Sequence, residues 1–154
     1  MRRFAIAFAA LGLVACLDTG TTDGSTSGDP SDPATETFTG ITPPIVISQM
    51  TKTALGDYYL DERVGTGPVL EGPRIVVFSY ITFLKNGVIV DQQVGAQQDL
   101  NQVVRGLQDG LVGMRVGGER VVVVPSALAF GSFAKPPIPA NATLVFDVVL
   151  GDLP

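Results

Sequence analysis

From about Met50 onward, apolar positions recur at spacings that predict a sheet and one helix. Asp57 to Val64 (DYYLDERV) reads as a strand with a charged face, closed by the turn residues Gly65-Thr66-Gly67-Pro68. Arg74 to Lys85 (RIVVFSYITFLK) is long and β-rich. Strand side chains alternate, so Val76, Phe78, Tyr80, Thr82 and Leu84 share one face. Asn86-Gly87 follows as a two-residue hairpin signal, and Val88 to Asp91 returns antiparallel. Leu100, Val103, Val104, Leu107 and Leu111 then recur at helical spacing. Asp99 is placed to cap this helix, with Gln102 reaching back as in a capping box, and Gly113 to stop it in the left-handed conformation. Gly117-Gly118 make the next turn, and the β-branched run Val121 to Val124 ends at Pro125. A proline loop, Lys135 to Pro139, leads to a last strand, Thr143 to Leu150 (TLVFDVVL). About five antiparallel strands and one short helix on one face make an α+β domain over residues 50–154.

The first 49 residues follow a different pattern. Arg2 and Arg3 precede the apolar run Phe4 to Val14, which is too short for a spanning helix of about 20 residues and has the layout of an export signal over residues 1–15. The run ends in Leu13-Val14-Ala15-Cys16, which resembles the bacterial lipobox. That resemblance implies lipid on Cys16, loss of everything before it, and anchoring to a membrane by several acyl chains. Leu17, where an aspartate would imply retention at the inner membrane, favours the outer membrane facing the periplasm. The alternative is an ordinary signal with an incidental cysteine. Residues 16–49 read as a tether, because Leu17 to Gly40 is rich in Thr, Ser, Gly, Asp and Pro and offers too little apolar surface to offset ordering. The tether's acids, Asp18, Asp23, Asp29, Asp32 and Glu36, have no base beside them, so repulsion should extend it.

Composition narrows the chemistry. The chain of 154 residues is 45% hydrophobic, enough for one packed domain, and its 18 glycines and 11 prolines suit a turn-rich β fold. A net charge of −5 argues against nucleic-acid binding. With no histidine and one cysteine, His-based triads, His-ligated metals and internal disulfides are excluded. Remaining chemistry uses carboxylates, hydroxyls or shape. Three short patterns are weak. Ser132-Phe133-Ala134-Lys135 matches Ser-x-x-Lys without its companion motifs, Gly65-Thr66-Gly67 is a turn, and Asp61 and Glu62 point to opposite faces of a strand.

The segments SYITFLKNGVIVD, QVVRGLQDGLVGMRVGGERVVVVPSALAFG and PANATLVFDVVL, in this order and spacing, resemble the FKBP-type peptidyl-prolyl cis-trans isomerases. The similarity runs from about Thr53 to Leu153. It implies a half-open antiparallel sheet wrapped around the helix, with a shallow apolar pocket between them. By motif, it implies catalytic roles for Tyr80, Asp91 and Phe130, and substrate contacts from Val90, Val103, Val104, Leu107, Ile138 and Phe146. The chain departs from the family pattern in several places, among them the segment QQVGAQQ after Asp91, which is shortened and offers no aromatic for the family's next pocket phenylalanine. Val90 stands where phenylalanine is usual, Leu107 replaces an aromatic floor, Phe130 lacks a tyrosine hydroxyl, and Ile81-Thr82 follows Tyr80 where a small residue is usual.

Rotation about an X-Pro amide needs no proton transfer, nucleophile, metal or cofactor, so a chain without histidine is compatible with it. The resemblance thus implies an enzyme acting on proline-containing polypeptides outside the cytoplasm. A peptide-binding module of the same fold with little turnover is the competing reading.

Overall fold

The computed structural model describes residues 32–154. The expected export signal and the lipidated Cys16 lie outside these residues. Six strands form one antiparallel sheet: β1 (Thr51–Lys52), β2 (Tyr58–Arg63), β3 (Ile75–Leu84), β4 (Ile89–Asp99), β5 (Glu119–Val124) and β6 (Leu144–Asp152). Their order across the sheet is β1-β2-β5-β6-β3-β4. One helix, α1 (Arg105–Leu111), packs on the concave face. The even face of β3 turns inward as alternation predicts. Val76 and Phe78 join Leu107 and Leu111 of α1, Val122 and Val124 of β5, and Leu144, Phe146, Val148 and Leu150 of β6 in the main core.

The helix lies directly on the valine strand because it shows β5 no side chain there. A Cβ on Gly106 would collide with Val124, and one on Gly110 with Val122. Arg120 then fixes the far end of the helix. Only 4% exposed, it donates to the Gly110 and Val112 carbonyls at 2.8 and 3.1 Å. It also grips both Asp61 carboxylate oxygens at 2.7 and 2.9 Å. A cation at a helix C-terminus opposes the negative end of the helix dipole; here the cation comes from the neighbouring strand.

Three expectations need correction. The helix is shorter than its apolar stripe. Asp99 caps a single 3-10 turn, Leu100–Gln102, by accepting from the Asn101 N–H at 2.9 Å. Val103 and Val104 are then extended before α1 begins. Both residues are β-branched, which weakens a helix there slightly, and Gln102 makes no capping box. Gly113 has the predicted positive φ, 83°, two residues beyond the last helical residue. Second, β4 continues from Ile89 to Asp99 rather than ending at Asp91. It pairs with β3 through register shifts on either side of Tyr80 to Thr82, and the Gly95 N–H donates to Ser79 Oγ at 2.9 Å.

The third correction concerns the tether. Its described part, residues 32–49, lies on the outer face of the sheet. Phe38, Ile41, Ile45 and Ile47 cover Tyr58, Val121, Val123 and Val145 there. Of the five acids expected to repel one another, the two within the described residues are paired instead. Asp32 accepts from Lys52 Nζ at 2.7 Å and from the Tyr58 hydroxyl at 3.0 Å, which hold its carboxyl below the usual range. Glu36 meets Lys85 at 2.9 Å and accepts from the Thr143 hydroxyl. Bases supplied by the folded domain, not by the segment, neutralise these two charges.

Candidate functional site

Between the concave face of β3, β4 and β6, the start of α1 and the loop joining β5 to β6 lies a cleft of about 520 Å³. Leu107 and Phe146, 3% and 6% exposed, make its floor. Tyr80 and Phe78 stand side by side with ring centres 5.3 Å apart. Half-buried Val90, Val103, Val104 and Phe130 form the walls, and Ile138 closes the side under the proline loop. All nine pocket residues implied by the sequence resemblance therefore line one cleft. Val103 and Val104 reach it from extended backbone, not from a helical turn. The Val104 carbonyl accepts from the Leu107 and Gln108 N–H groups at 3.0 and 3.2 Å.

A hydrogen-bonded polar pair stands beside the apolar floor. The Tyr80 hydroxyl donates to Asp91 Oδ2 at 2.9 Å. Register explains the contact. Tyr80 faces Gln93 and Thr82 faces Asp91 across β3 and β4, so the long phenol reaches diagonally along the same face. Burial, followed by the Asp91 hydrogen bond and charge, pushes the phenol up to about 12. It therefore stays protonated at neutral pH. Asp91 itself is exposed.

Several lining residues had not been assigned from sequence. Thr82 is 2% exposed and its hydroxyl has no partner among the described residues. It fills the position where the family usually has a small residue. Alternation had placed it on the correct face without indicating a role. Gln93, Gln98 and Gln102 add amides, and Lys135, Pro136 and Pro137 form the loop side. Lys135, the end of the Ser-x-x-Lys pattern, opens the proline loop. Ser132 and Lys135 sit on an irregular loop rather than a helix turn, and Ser132 does not line the cleft. On the opposite face of the sheet, Glu62, Glu119 and Asp147 bring carboxylate oxygens within 4.8 Å of one another. Asp61 points inward to Arg120, as predicted for neighbours in a strand.

The family model for FKBP-type peptidyl-prolyl cis-trans isomerase matches residues 68–151. The chain belongs to this family. Among curated relatives, FK506-binding protein 4 of Chaetomium thermophilum is 43% identical over 95 residues, which are 58% of this chain and 20% of that protein. FK506-binding protein 3 of Candida albicans is 37% identical over 109 residues, 67% of this chain and 26% of that protein. The chain thus spans about a fifth to a quarter of the length of these fungal relatives. Among solved structures, FkpA from Escherichia coli matches at TM-score 0.64 and 31% identity, over 68% of this chain and 51% of that one. A peptidyl-prolyl cis-trans isomerase from Pseudomonas syringae matches at TM-score 0.64 and 28% identity, over 68% and 80%. The half-open six-stranded sheet around one helix is the fold these FKBP-type structures share with it.

Proposed function

We propose that this protein is a peptidyl-prolyl cis-trans isomerase whose catalytic surface is the Tyr80–Asp91 cleft. The observation that carries the reading is a hydrogen-bonded Tyr80–Asp91 pair beside the apolar floor of Leu107 and Phe146, in a cleft of about 520 Å³ with room for a prolyl residue and its neighbours. The barrier to X-Pro rotation is about 18–20 kcal/mol and comes from amide resonance. Leu107 and Phe146 take the prolyl ring out of water, and desolvation of the carbonyl favours the twisted amide over the planar one. Every ~1.4 kcal/mol gained in the twisted state over the planar one is tenfold in rate. Among the described residues the Val104 N–H has no acceptor, which leaves it free for a substrate carbonyl. Phe130 keeps the ring of its wall without a hydroxyl, so this donor matters more here. Acceleration of cis-to-trans exchange in Leu-Pro or Phe-Pro peptides is the test. A folded protein that gives no acceleration at micromolar concentration contradicts it.

A second reading has its own observation: Val90 and Leu107 thin the aromatic lining. In this reading the cleft grips proline-containing segments as a chaperone with little turnover, and peptide binding without exchange would identify it. We place the domain outside the cytoplasm, held to the periplasmic face of the outer membrane by lipid on Cys16. Support comes from the pattern Arg2 to Cys16 and from Leu17. Among the described residues no helix is long and apolar enough to cross a membrane. Metabolic labelling with a radioactive fatty acid checks this, with loss of label expected in Cys16→Ser.

A further inference from the structure

Among the described residues, Lys135 and Asp91 are the charged side chains on the cleft lining, and they differ in what already holds them. The Asp91 carboxylate takes the Tyr80 hydroxyl at 2.9 Å. The Lys135 ammonium sits 5.0 Å from the centre of the Phe130 ring, and among the described residues the ion pairs involve other bases: Lys52, Arg63, Lys85 and Arg120. Its backbone is fixed. The Lys135 N–H donates to the Ile138 carbonyl at 2.9 Å, and the Ile138 N–H returns to the Lys135 carbonyl at 2.6 Å. Ile138 is buried in the core, so this turn anchors the lysine stem beside the cleft. Contact with the ring face attracts the ammonium and narrows the positions open to it.

The other polar groups on the lining carry no charge. Gln93, Gln98 and Gln102 present amides, which donate and accept and so do not discriminate between anions and cations. Asp91 on β4 keeps its negative charge, since the phenol bonded to it is neutral. The cleft thus carries one charge of each sign, and Lys135 on the loop side is the one that an acidic side chain would meet. We propose that Lys135 is a specificity-determining residue that favours X-Pro segments carrying a glutamate or aspartate next to the proline. This rests on the isomerase reading and adds the substrate class to it. Lys135 is solvent-exposed, so its effect has the size of an exposed ion pair, about three- to fivefold in affinity or kcat/KM at most. Screening should erase it in ~1 M salt, where the Debye length is ~3 Å.

The test uses the full chain and two short peptide series, with Glu, Leu or Lys placed before the proline or after it. Exchange rates and direct binding titrations are measured for each peptide. Glu peptides should exceed Lys peptides about three- to fivefold in at least one series, with the ratio falling to about one in ~1 M NaCl. Lys135→Glu should invert the ratio, and Lys135→Ala should bring it close to one. Equal values for Glu and Lys peptides in both series, with Leu peptides still turned over or bound, overturn the proposal. Absence of exchange with every peptide counts against the isomerase reading instead. The binding titrations then judge Lys135 separately, and equal affinities for Glu and Lys peptides overturn it there too.

Discussion

Replacing Arg120 with methionine tests how the floor of the cleft is held. Methionine retains an unbranched stem over Tyr59, whose ring centre is 4.2 Å from the guanidinium, but it donates nothing. Three acceptor groups lose their partner. The Asp61 carboxylate is 31% exposed, so water can replace the arginine there at small cost. The Gly110 carbonyl fares worse, since Gly110 is buried and an orphaned buried carbonyl costs about 1–3 kcal/mol, whereas Val112 is exposed and its carbonyl can turn to water. Losing the cation–ring contact adds about 0.5–1 kcal/mol. Relief from burying a guanidinium offsets part of this, giving a net loss of about 2 kcal/mol. Against a total stability of about 5–15 kcal/mol that loss is large. For a domain of this size each kcal/mol lowers Tm by about 4–8 °C. Urea unfolding should show the midpoint falling with an unchanged m value. Peptide affinity should fall as well, because the tethered end of α1 positions Leu107. A loss below about 1 kcal/mol would refute the reasoning and show that water reaches both carbonyls.

Three further outcomes follow from the same geometry. Tyr80→Phe deletes the hydrogen bond to Asp91 and should lower kcat/KM several-fold with little change in the urea midpoint; an equal fall in stability would mark the pair as structural. Asp57 is fully buried with one carboxylate oxygen unpartnered, and burial first, with Asp109 nearby, pushes its carboxyl up. A raised folded-state value means stability declines as pH climbs from the unfolded value of about 4 through the folded one. Asp57→Asn should therefore flatten that decline and gain on the wild type at neutral pH, and identical pH profiles of unfolding would contradict the assignment. A chain beginning at Met50 uncovers Tyr58, Val121, Val123 and Val145 and should unfold at lower urea than one beginning at Asp32. Equal midpoints would show that the segment contributes nothing to stability.

Much of the fold was legible because alternation in β3 and the unbroken valines of β5 are strong local signals. The pocket residues came from motif resemblance rather than from periodicity. No spacing rule selects Phe130 or Ile138 from irregular loops. What stayed hidden depends on distant partners. Arg120 and Asp61 are 59 residues apart, and neither has a neighbour in sequence that announces the pair. Asp32 and Glu36 looked like solvated acids because their bases, Lys52 and Lys85, arrive only when the sheet forms. Val103 and Val104 fit a helical stripe, and the turn that extends them is decided by the way α1 seats its glycines on β5. Thr82 was on the predicted face, but its lack of a hydrogen-bond partner is visible only once Asp91 and Phe146 stand opposite it.

The central claim is that the Tyr80–Asp91 cleft turns proline bonds. Exchange spectroscopy on a Leu-Pro peptide, with wild type beside Asp91→Ala at matched folded concentration, addresses it most directly. The account predicts clear acceleration by wild type and a several-fold smaller rate for the variant. No acceleration by folded wild type, or equal rates for the two proteins, would contradict it.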